Sequence, residues 1–132
     1  MSVGLLLITH DGIGNSLVKS AISIIGHSPL NVEIMSVPLS CSPERQNTKG
    51  IKLAEKLDSG DGVLVITDLY GSTPGNIGRS ICKARSANKE KSVLLSGVNL
   101  AMLVTILNYP QLDLNTLAKK AIKGGQKGIT QT

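Results

Sequence analysis

The sequence predicts an α/β fold: an open, mostly parallel sheet of strand order 2-1-3-4, flanked by helices on both faces. Short apolar runs rich in Val, Ile and Leu alternate with segments whose apolar residues recur at helical spacing. The first and third runs show no polar alternation, as expected of strands buried on both faces of a parallel sheet. Right-handed crossovers then give the simplest topology, a single domain over residues 1–132.

The first strand is predicted over residues 3–10, an apolar run that ends in polar residues. Residues 11–14 indicate a tight turn, after which Asn15 or Ser16 is the expected N-cap of the first helix. Gly26 is expected to end that helix.

The second strand is predicted at Val32–Val37, and Pro38 closes it. Ser42 is the expected N-cap of the second helix, with Pro43 at its first position. Glu44 then lies in the first turn, where the helix dipole favours an acidic side chain.

The third strand, Val63–Thr67, has the same pattern as the first and leads into a polar loop at residues 68–74. Thr73 is the expected N-cap of the third helix, and Pro74 is its expected first residue. This loop is therefore predicted to lie at the same edge of the sheet as the end of the first strand.

The fourth strand is predicted at Ser92–Ser96, followed by a helix that Asn99 caps. A last helix is expected to begin at Asp113 and to stop at the glycine pair 124–125. Residues 128–130 are expected to add an edge strand.

The composition indicates an aliphatic core and excludes some classes of function. Hydrophobic residues make up 41% of the chain, whereas Tyr70 and Tyr109 are its only aromatic residues. Because binding of single-stranded nucleic acid usually requires stacking on aromatic side chains, we expect no nucleic-acid partner. Cys41 and Cys82 lack metal-binding or redox spacing, and we expect no metal ion and no other cofactor.

The net charge of +5 arises largely from basic residues in two segments, 83–91 and 119–127. These segments are interpreted either as solvated helix ends or as a surface for an anionic partner. No apolar stretch approaches the roughly 18 residues of a membrane span, and no basic residue precedes the first apolar run as in a signal peptide. The chain is therefore expected to be cytoplasmic.

Polar side chains follow three of the predicted strands: His10 the first, Asp68 the third and Asn99 the fourth. Because the first and third strands are neighbours in the order 2-1-3-4, we expect Asp68 to lie beside His10 at the switch point of the sheet. A carboxylate bound to one ring nitrogen sets the tautomer and leaves the other nitrogen as a nucleophile. Hydroxyl groups and the N–H groups of a helix start are suited to bind a phosphoryl group. The predicted phosphoryl-binding residues are Thr9, Gly71, Ser72 and Thr73, and the predicted supporting residue is Asn99.

The sequence is also compatible with other interpretations of His10. A histidine at a strand end is often structural, which would make the chain a flavodoxin-like domain without transfer chemistry. A zinc site is disfavoured because only one histidine and one carboxylate converge, fewer than the three protein ligands of catalytic zinc. The chain also lacks the glycine fingerprints of dinucleotide sites and P-loops.

Three motifs in order resemble the IIA component of the mannose-type (fructose-mannose-sorbose) branch of the bacterial sugar phosphotransferase system. They are Thr-His-Asp-Gly at 9–12, Asp-Leu-Tyr-Gly-Ser-Thr-Pro-Gly-Asn at 68–76 and Gly-Val-Asn-Leu-Ala-Met-Leu at 97–103. The resemblance implies that the carrier protein HPr phosphorylates His10 on Nε2 and that Asp68 holds the other ring nitrogen. It places the phosphoryl-contacting hydroxyl at Thr73, with Ser72 beside it.

The resemblance also implies partners. His10 would pass the phosphoryl group to a IIB protein, expected to be a separate polypeptide, and the chain would meet a membrane only through a permease complex. A homodimer is expected. Some members of the family exchange the C-terminal strand between the two protomers, and residues 128–130 would then be that strand. The sequence departs from the family at Ala101, where proline is common. Two alternatives stay open: a stand-alone regulatory IIA protein, and a phosphoryl donor to a dihydroxyacetone kinase.

Overall fold

The computed structural model describes residues 2–132, and within them it has four strands and five helices. In chain order the elements are β1 (Gly4–His10), α1 (Ile13–Ile25), β2 (Val32–Val37), α2 (Pro43–Leu57), β3 (Val63–Thr67), α3 (Thr73–Ala87), β4 (Ser92–Ser96), α4 (Leu100–Asn108) and α5 (Leu114–Lys127). No helix in this part of the chain has the length and apolar character needed to cross a lipid bilayer.

The sheet has the order β2-β1-β3-β4, and every neighbouring pair is parallel, which confirms the predicted topology. His10 lies opposite Val37 of β2, and Ile8 lies opposite Thr67 of β3. The loops that follow the strands therefore meet along one edge of the sheet, called here the carboxyl edge. His10 and Asp68 both lie at this edge.

Helices cover both faces of the sheet, as the sequence predicted. One apolar cluster joins alternate side chains of β1 and β3 to α1, α4 and α5, and a second joins the intervening side chains to α2 and α3. β1 and β3 are buried on both faces because each lies between two other strands and two helical layers. This explains their unbroken apolar sequences and holds the ends of the two strands in place.

The first helix begins earlier than predicted. Its first residue is Ile13, and its N-cap is Gly12, so the assignment of Asn15 or Ser16 as the cap was wrong. Gly12 has φ 82°, a left-handed conformation that is readily accessible to glycine, and this lets the chain turn into α1 directly after β1. Gly26 ends the helix, as predicted.

The start of α3 also differs from the prediction by one residue. The N-cap is Ser72, whose Oγ accepts a hydrogen bond from the backbone N–H of Gly75 at 3.3 Å. Thr73 is the first helical residue rather than the cap, and Pro74 is the second. The predicted N-caps Ser42, Asn99 and Asp113 are confirmed, and each accepts a hydrogen bond from the first turn of its helix.

The last helix does not stop at the glycine pair 124–125 but continues to Lys127. Gly124 allows close packing between α5 and α4 within the helix, because a Cβ atom at this position would overlap the side chain of Thr105 on α4. Residues 128–132 are not part of the sheet within the single chain. The edge strand is therefore not formed in one chain, and its exchange within a homodimer stays a prediction.

The edge of the sheet at which the strands begin, called here the amino edge, is stabilised by a buried cation. Arg85 of α3 is only 1% exposed and forms ion pairs with Asp58 at 2.7 Å and with Glu90 at 3.3 Å. Its guanidinium also donates to the carbonyl of Lys91 at 2.9 Å. The expectation that segment 83–91 is a solvated helix end or a partner surface was therefore wrong for this residue.

Candidate functional site

His10 and Asp68 are joined by two hydrogen bonds across the junction of β1 and β3. The Oδ2 atom of Asp68 accepts one from the backbone N–H of His10 at 3.0 Å, and it lies 2.8 Å from Nδ1 of the His10 ring. The His10 side chain is 39% exposed, whereas that of Asp68 is 11% exposed. The predicted contact is confirmed, and the geometry presents an accessible imidazole on a mostly buried carboxylate.

This geometry sets the chemistry of the ring. A carboxylate beside Nδ1 favours the tautomer in which Nδ1 carries the proton and Nε2 carries the lone pair. Positive charge that develops on the ring during attack by Nε2 is stabilised by the same carboxylate. The pair is therefore suited to nucleophilic chemistry at Nε2.

The electrostatics of Asp68 agree with this arrangement. Burial disfavours its charged form, but the hydrogen bonds from the main chain and ring of His10 outweigh that effect and lower the pKa of Asp68. Its other oxygen, Oδ1, is buried and has no hydrogen-bond partner within residues 2–132. Asp68 is thus an ionised acceptor whose bonding is concentrated on Oδ2.

Thr9 does not lie at the surface of the site. It is fully buried, and its Oγ donates to the carbonyl of His10 at 2.8 Å and accepts from the N–H of Gly14 at 2.9 Å. Because the hydroxyl is inaccessible and already bonded, it is not positioned to bind a phosphoryl group. The structure assigns Thr9 to the turn between β1 and α1, where it holds the backbone of His10.

The loop after β3 brings Gly71, Ser72 and Thr73 to the carboxyl edge, but in different states. The Ser72 hydroxyl is occupied, since it donates to the carbonyl of Leu69 at 2.6 Å and caps α3. The Thr73 side chain is exposed and has no hydrogen-bond partner within residues 2–132. Gly71, with φ 79°, provides the turn between them and Asp68. Thr73 is therefore the hydroxyl of this loop that is free to bind a ligand.

Asn99 supports the helices rather than the His10 ring. Its Oδ1 accepts from the N–H of Met102 at 2.8 Å, and its Nδ2 donates to the carbonyl of Gly125 at 3.0 Å. Both ends of the amide are thereby used to join the start of α4 to the end of α5. The predicted supporting role of Asn99 is therefore limited to this helix junction.

Exposed apolar residues near the carboxyl edge were not identified from the sequence. Leu69 and Tyr70 of the β3–α3 loop are 61% and 68% exposed, and Leu39 of the β2–α2 loop is fully exposed. Ile13, at the start of α1, is partly exposed. Single apolar residues within polar loops were the only sign of this apolar rim in the sequence. Large apolar side chains that stay in water around a reactive group are typical of a surface that contacts another protein.

No three His, Cys, Asp or Glu side chains lie together in residues 2–132 in a way that could hold a metal ion. Within residues 2–132 the structure joins His10 to Asp68 and places the exposed side chain of Thr73 in the loop region at the same edge of the sheet.

Comparison with known proteins gives one family match over most of the chain. A family model described as the fructose IIA component of the phosphotransferase system matches residues 4–122. The mannose-specific EIIAB component of this system from Escherichia coli K12 is 28% identical over 131 residues. That alignment covers 98% of this chain and 39% of the E. coli protein, so the chain spans well under half the length of this relative.

Solved structures share the fold. The mannose/sorbose-specific IIA subunit from Enterococcus faecalis has a TM-score of 0.82 at 22% identity, covering 100% of this chain and 96% of that chain. The EIIA component from Streptococcus agalactiae has a TM-score of 0.83 at 23% identity, covering 98% and 96%. These similarities extend over the whole α/β domain, including both strands that carry the site.

Proposed function

Because the chain belongs to the family of fructose IIA components of the phosphotransferase system, we propose that it carries a phosphoryl group on His10. In this proposal HPr donates the group and a IIB protein accepts it. The observation that carries the proposal is the double hydrogen bond from His10 to Oδ2 of Asp68. This arrangement leaves Nε2 as the nucleophile of an accessible ring.

The proposed transfer is a direct displacement at phosphorus. The lone pair of His10 Nε2 attacks the phosphorus of phosphorylated HPr, the P–N bond of the donor breaks, and its electron pair stays on the donor nitrogen. The Nδ1 proton remains in the hydrogen bond to Asp68, which stabilises the positive character of the ring. Onward transfer repeats the displacement with a nucleophile of the IIB protein and restores the free lone pair of His10.

Thr73 is the proposed side-chain donor to the phosphoryl oxygens. Its hydroxyl is exposed and unpaired in the described residues, and it lies in the first turn of α3. The helix dipole favours negative charge at that position. Catalysis would then depend on positioning and electrostatic stabilisation, as is general for phosphoryl transfer.

The surroundings of His10 support a protein as the phosphoryl donor. The apolar rim formed by Ile13, Leu39, Leu69 and Tyr70 offers contact area for a docked protein, and His10 is accessible beside it. Docking of another protein would exclude water from the phosphoryl group during transfer.

The test is phosphorylation by purified components. We expect phosphoenolpyruvate, enzyme I and HPr to transfer labelled phosphate to the wild-type protein, forming an acid-labile and base-stable adduct. A His10→Ala variant should take up no label, whereas the exposed His27→Ala variant should be labelled normally. Label retained by His10→Ala, in a protein whose circular dichroism matches the wild type, would refute the assignment.

A further inference from the structure

The β2–α2 corner lies directly beside His10. His10 is in register with Val37, the last residue of β2, and neighbouring strands lie only about 5 Å apart. The chain therefore leaves β2 next to the reactive ring and continues through Pro38 to Leu39. The Leu39 side chain is fully exposed, at 103% of its reference area. An apolar side chain in this position is available to a protein that reaches His10.

The helix that follows this corner carries its basic residues along one line. Arg45, Lys49, Lys52 and Lys56 are spaced at i, i+4, i+7 and i+11, which places them on the same side of α2. The two acidic residues of α2, Glu44 and Glu55, fall on a different line about 100° round the helix axis. The basic residues therefore share one side of α2, although Glu44 lines the same surface groove as Arg45, Lys49 and Lys52. Glu55 also lies three residues after Lys52 on the helix.

Internal ion pairing accounts for only one member of this basic line. Lys56 binds Glu33 of β2 at 3.0 Å. Arg45, Lys49 and Lys52 are exposed and form no ion pair within residues 2–132. Arg45 lies in the first turn of α2, where the helix leaves the carboxyl edge, and Lys49 and Lys52 follow it along the helix away from that edge.

Helix stability does not explain the three unpaired cations. The helix dipole favours cations near the C-terminus, which suits Lys56 in the last turn. Arg45 lies in the first turn, where the dipole disfavours a positive charge. The position of Arg45 is therefore not accounted for by the stability of the helix.

We propose that Leu39 together with Arg45, Lys49 and Lys52 forms a docking surface for a protein whose apolar patch is flanked by acidic side chains. This inference rests on the proposed function, since the docked protein is the one that exchanges the phosphoryl group with His10. The apolar residue next to the ring provides contact, and the basic line provides orientation and electrostatic steering of the encounter. A protein occupant fits better than nucleic acid because no aromatic side chain lies on α2 or in the β2–α2 loop for bases to stack on.

The test compares two double charge reversals that change the net charge equally. Lys49→Glu with Lys52→Glu alters the docking surface, and Lys119→Glu with Lys123→Glu alters α5, which packs on the other face of the sheet. The rates measured are phosphorylation of His10 by phosphorylated HPr and onward transfer to the IIB protein, each at low and at high ionic strength.

We expect the α2 variant to lose about tenfold or more in kcat/KM for at least one of the two transfers at low salt. The loss should lie in KM, should shrink at high salt, and should be absent from the α5 variant. Leu39→Ser should raise KM at both salt concentrations, whereas Ile24→Ser, at an exposed position of α1, should not. Equal behaviour of the α2 and α5 variants in both transfers would overturn the proposal.

Two further outcomes separate this inference from the proposed function. If His10 is labelled normally and the α2 variant changes neither transfer, only the docking surface is refuted. If the wild-type protein is never labelled, both the proposed function and this inference are refuted. Salt-sensitive binding of a single-stranded RNA homopolymer that is lost in the α2 variant would assign the surface to nucleic acid and would also overturn the proposal.

Discussion

A single oxygen of Asp68 binds both the main chain and the ring of His10. The distances from Oδ2 are 3.0 Å to the backbone nitrogen and 2.8 Å to Nδ1. The regular pairing of β1 with β3 ends at Ile8 and Thr67, so this carboxylate continues the connection between the strands beyond the backbone ladder. The orientation of the ring is therefore tied to the sheet and not to the flexibility of a loop.

The first prediction separates the charge of Asp68 from its role as an acceptor. Asp68→Asn keeps an acceptor oxygen for His10 but removes the negative charge. We expect it to slow phosphorylation of His10 by roughly tenfold or more, because the ring loses the negative charge that favours its tautomer and stabilises its positive character. Asp68→Ala should slow the reaction further, because the ring then also loses its hydrogen bond. Rapid-quench measurement of labelling under single-turnover conditions gives these rates, and wild-type rates in both variants would remove Asp68 from the mechanism.

The second prediction distinguishes the two neighbouring hydroxyls of the β3–α3 loop. Ser72→Ala removes the N-cap of α3 and should lower the free energy of unfolding by about 1 kcal/mol. Thr73→Val keeps the side-chain shape and should leave stability nearly unchanged, but it should slow phosphoryl transfer roughly tenfold through loss of a charge-assisted hydrogen bond. Urea unfolding and transfer assays on both variants check the pair of effects. The opposite pattern, with Ser72→Ala slow and Thr73→Val unaffected, would assign the phosphoryl contact to Ser72.

The third prediction concerns the buried hydroxyl of Thr9. Thr9→Val leaves the N–H of Gly14 without its acceptor and the carbonyl of His10 without a donor. Burying unpaired groups should lower the free energy of unfolding by about 2 kcal/mol. Thr9→Ser retains the hydroxyl and should be destabilised less. Both variants should still be labelled on His10, and a Thr9→Val protein as stable as the wild type would contradict the structural role.

The fourth prediction is the acid sensitivity that arises at the amino edge. Burial disfavours the charged form of Asp58, but its hydrogen bonds with Arg85 and with the N–H groups of Gly60 and Gly62 lower its pKa below 3.8. A carboxyl group with a lowered pKa stabilises the fold above the pKa of the unfolded chain, and this contribution is lost as the pH falls through the folded-state value. The wild type should therefore lose part of its stability below about pH 4.

Asp58→Asn should remove this contribution at neutral pH, since it leaves Glu90 as the one carboxylate paired with the buried Arg85 in the described residues. We expect a loss of about 2 kcal/mol at pH 7, smaller than for a fully buried pair because Asp58 is partly exposed. The stability difference from the wild type should shrink toward pH 3 in urea titrations. Asp61→Asn, in the same loop without an ion pair, is the matched control, and equal losses in the two variants would contradict the ion-pair explanation.

Much of the architecture was predictable because it depends on local rules. The unbroken apolar runs of β1 and β3 predicted central strands, and the capping residues Ser42, Asn99 and Asp113 predicted the starts of three helices. Because β1 and β3 were predicted to be parallel neighbours, the residues that follow them were predicted to lie close together. The closeness of His10 and Asp68 follows from that topology, and the structure adds the hydrogen bond between their side chains.

The sequence did not predict which side-chain hydroxyls near His10 are accessible to a ligand. Thr9, Ser72 and Thr73 are the same kind of donor in the sequence, yet the structure buries the first, uses the second as a cap and leaves the third free. Which neighbours a hydroxyl finds depends on the exact path of each turn. That path was predicted one or more residues out of place at the starts of both α1 and α3.

The sequence alone thus determined the central strands and the position of His10 at a strand end, because apolar patterning marks strands that are buried on both faces. Given the strand order 2-1-3-4, it also predicted the approach of Asp68, because the carboxyl ends of neighbouring parallel strands lie at one edge of the sheet. Only the tertiary structure decided which groups remain accessible around that ring. Burial of Arg85, exposure of Leu39 and continuation of α5 through its glycines depend on packing between segments distant in the chain, and the local pattern of residues carries no record of that packing.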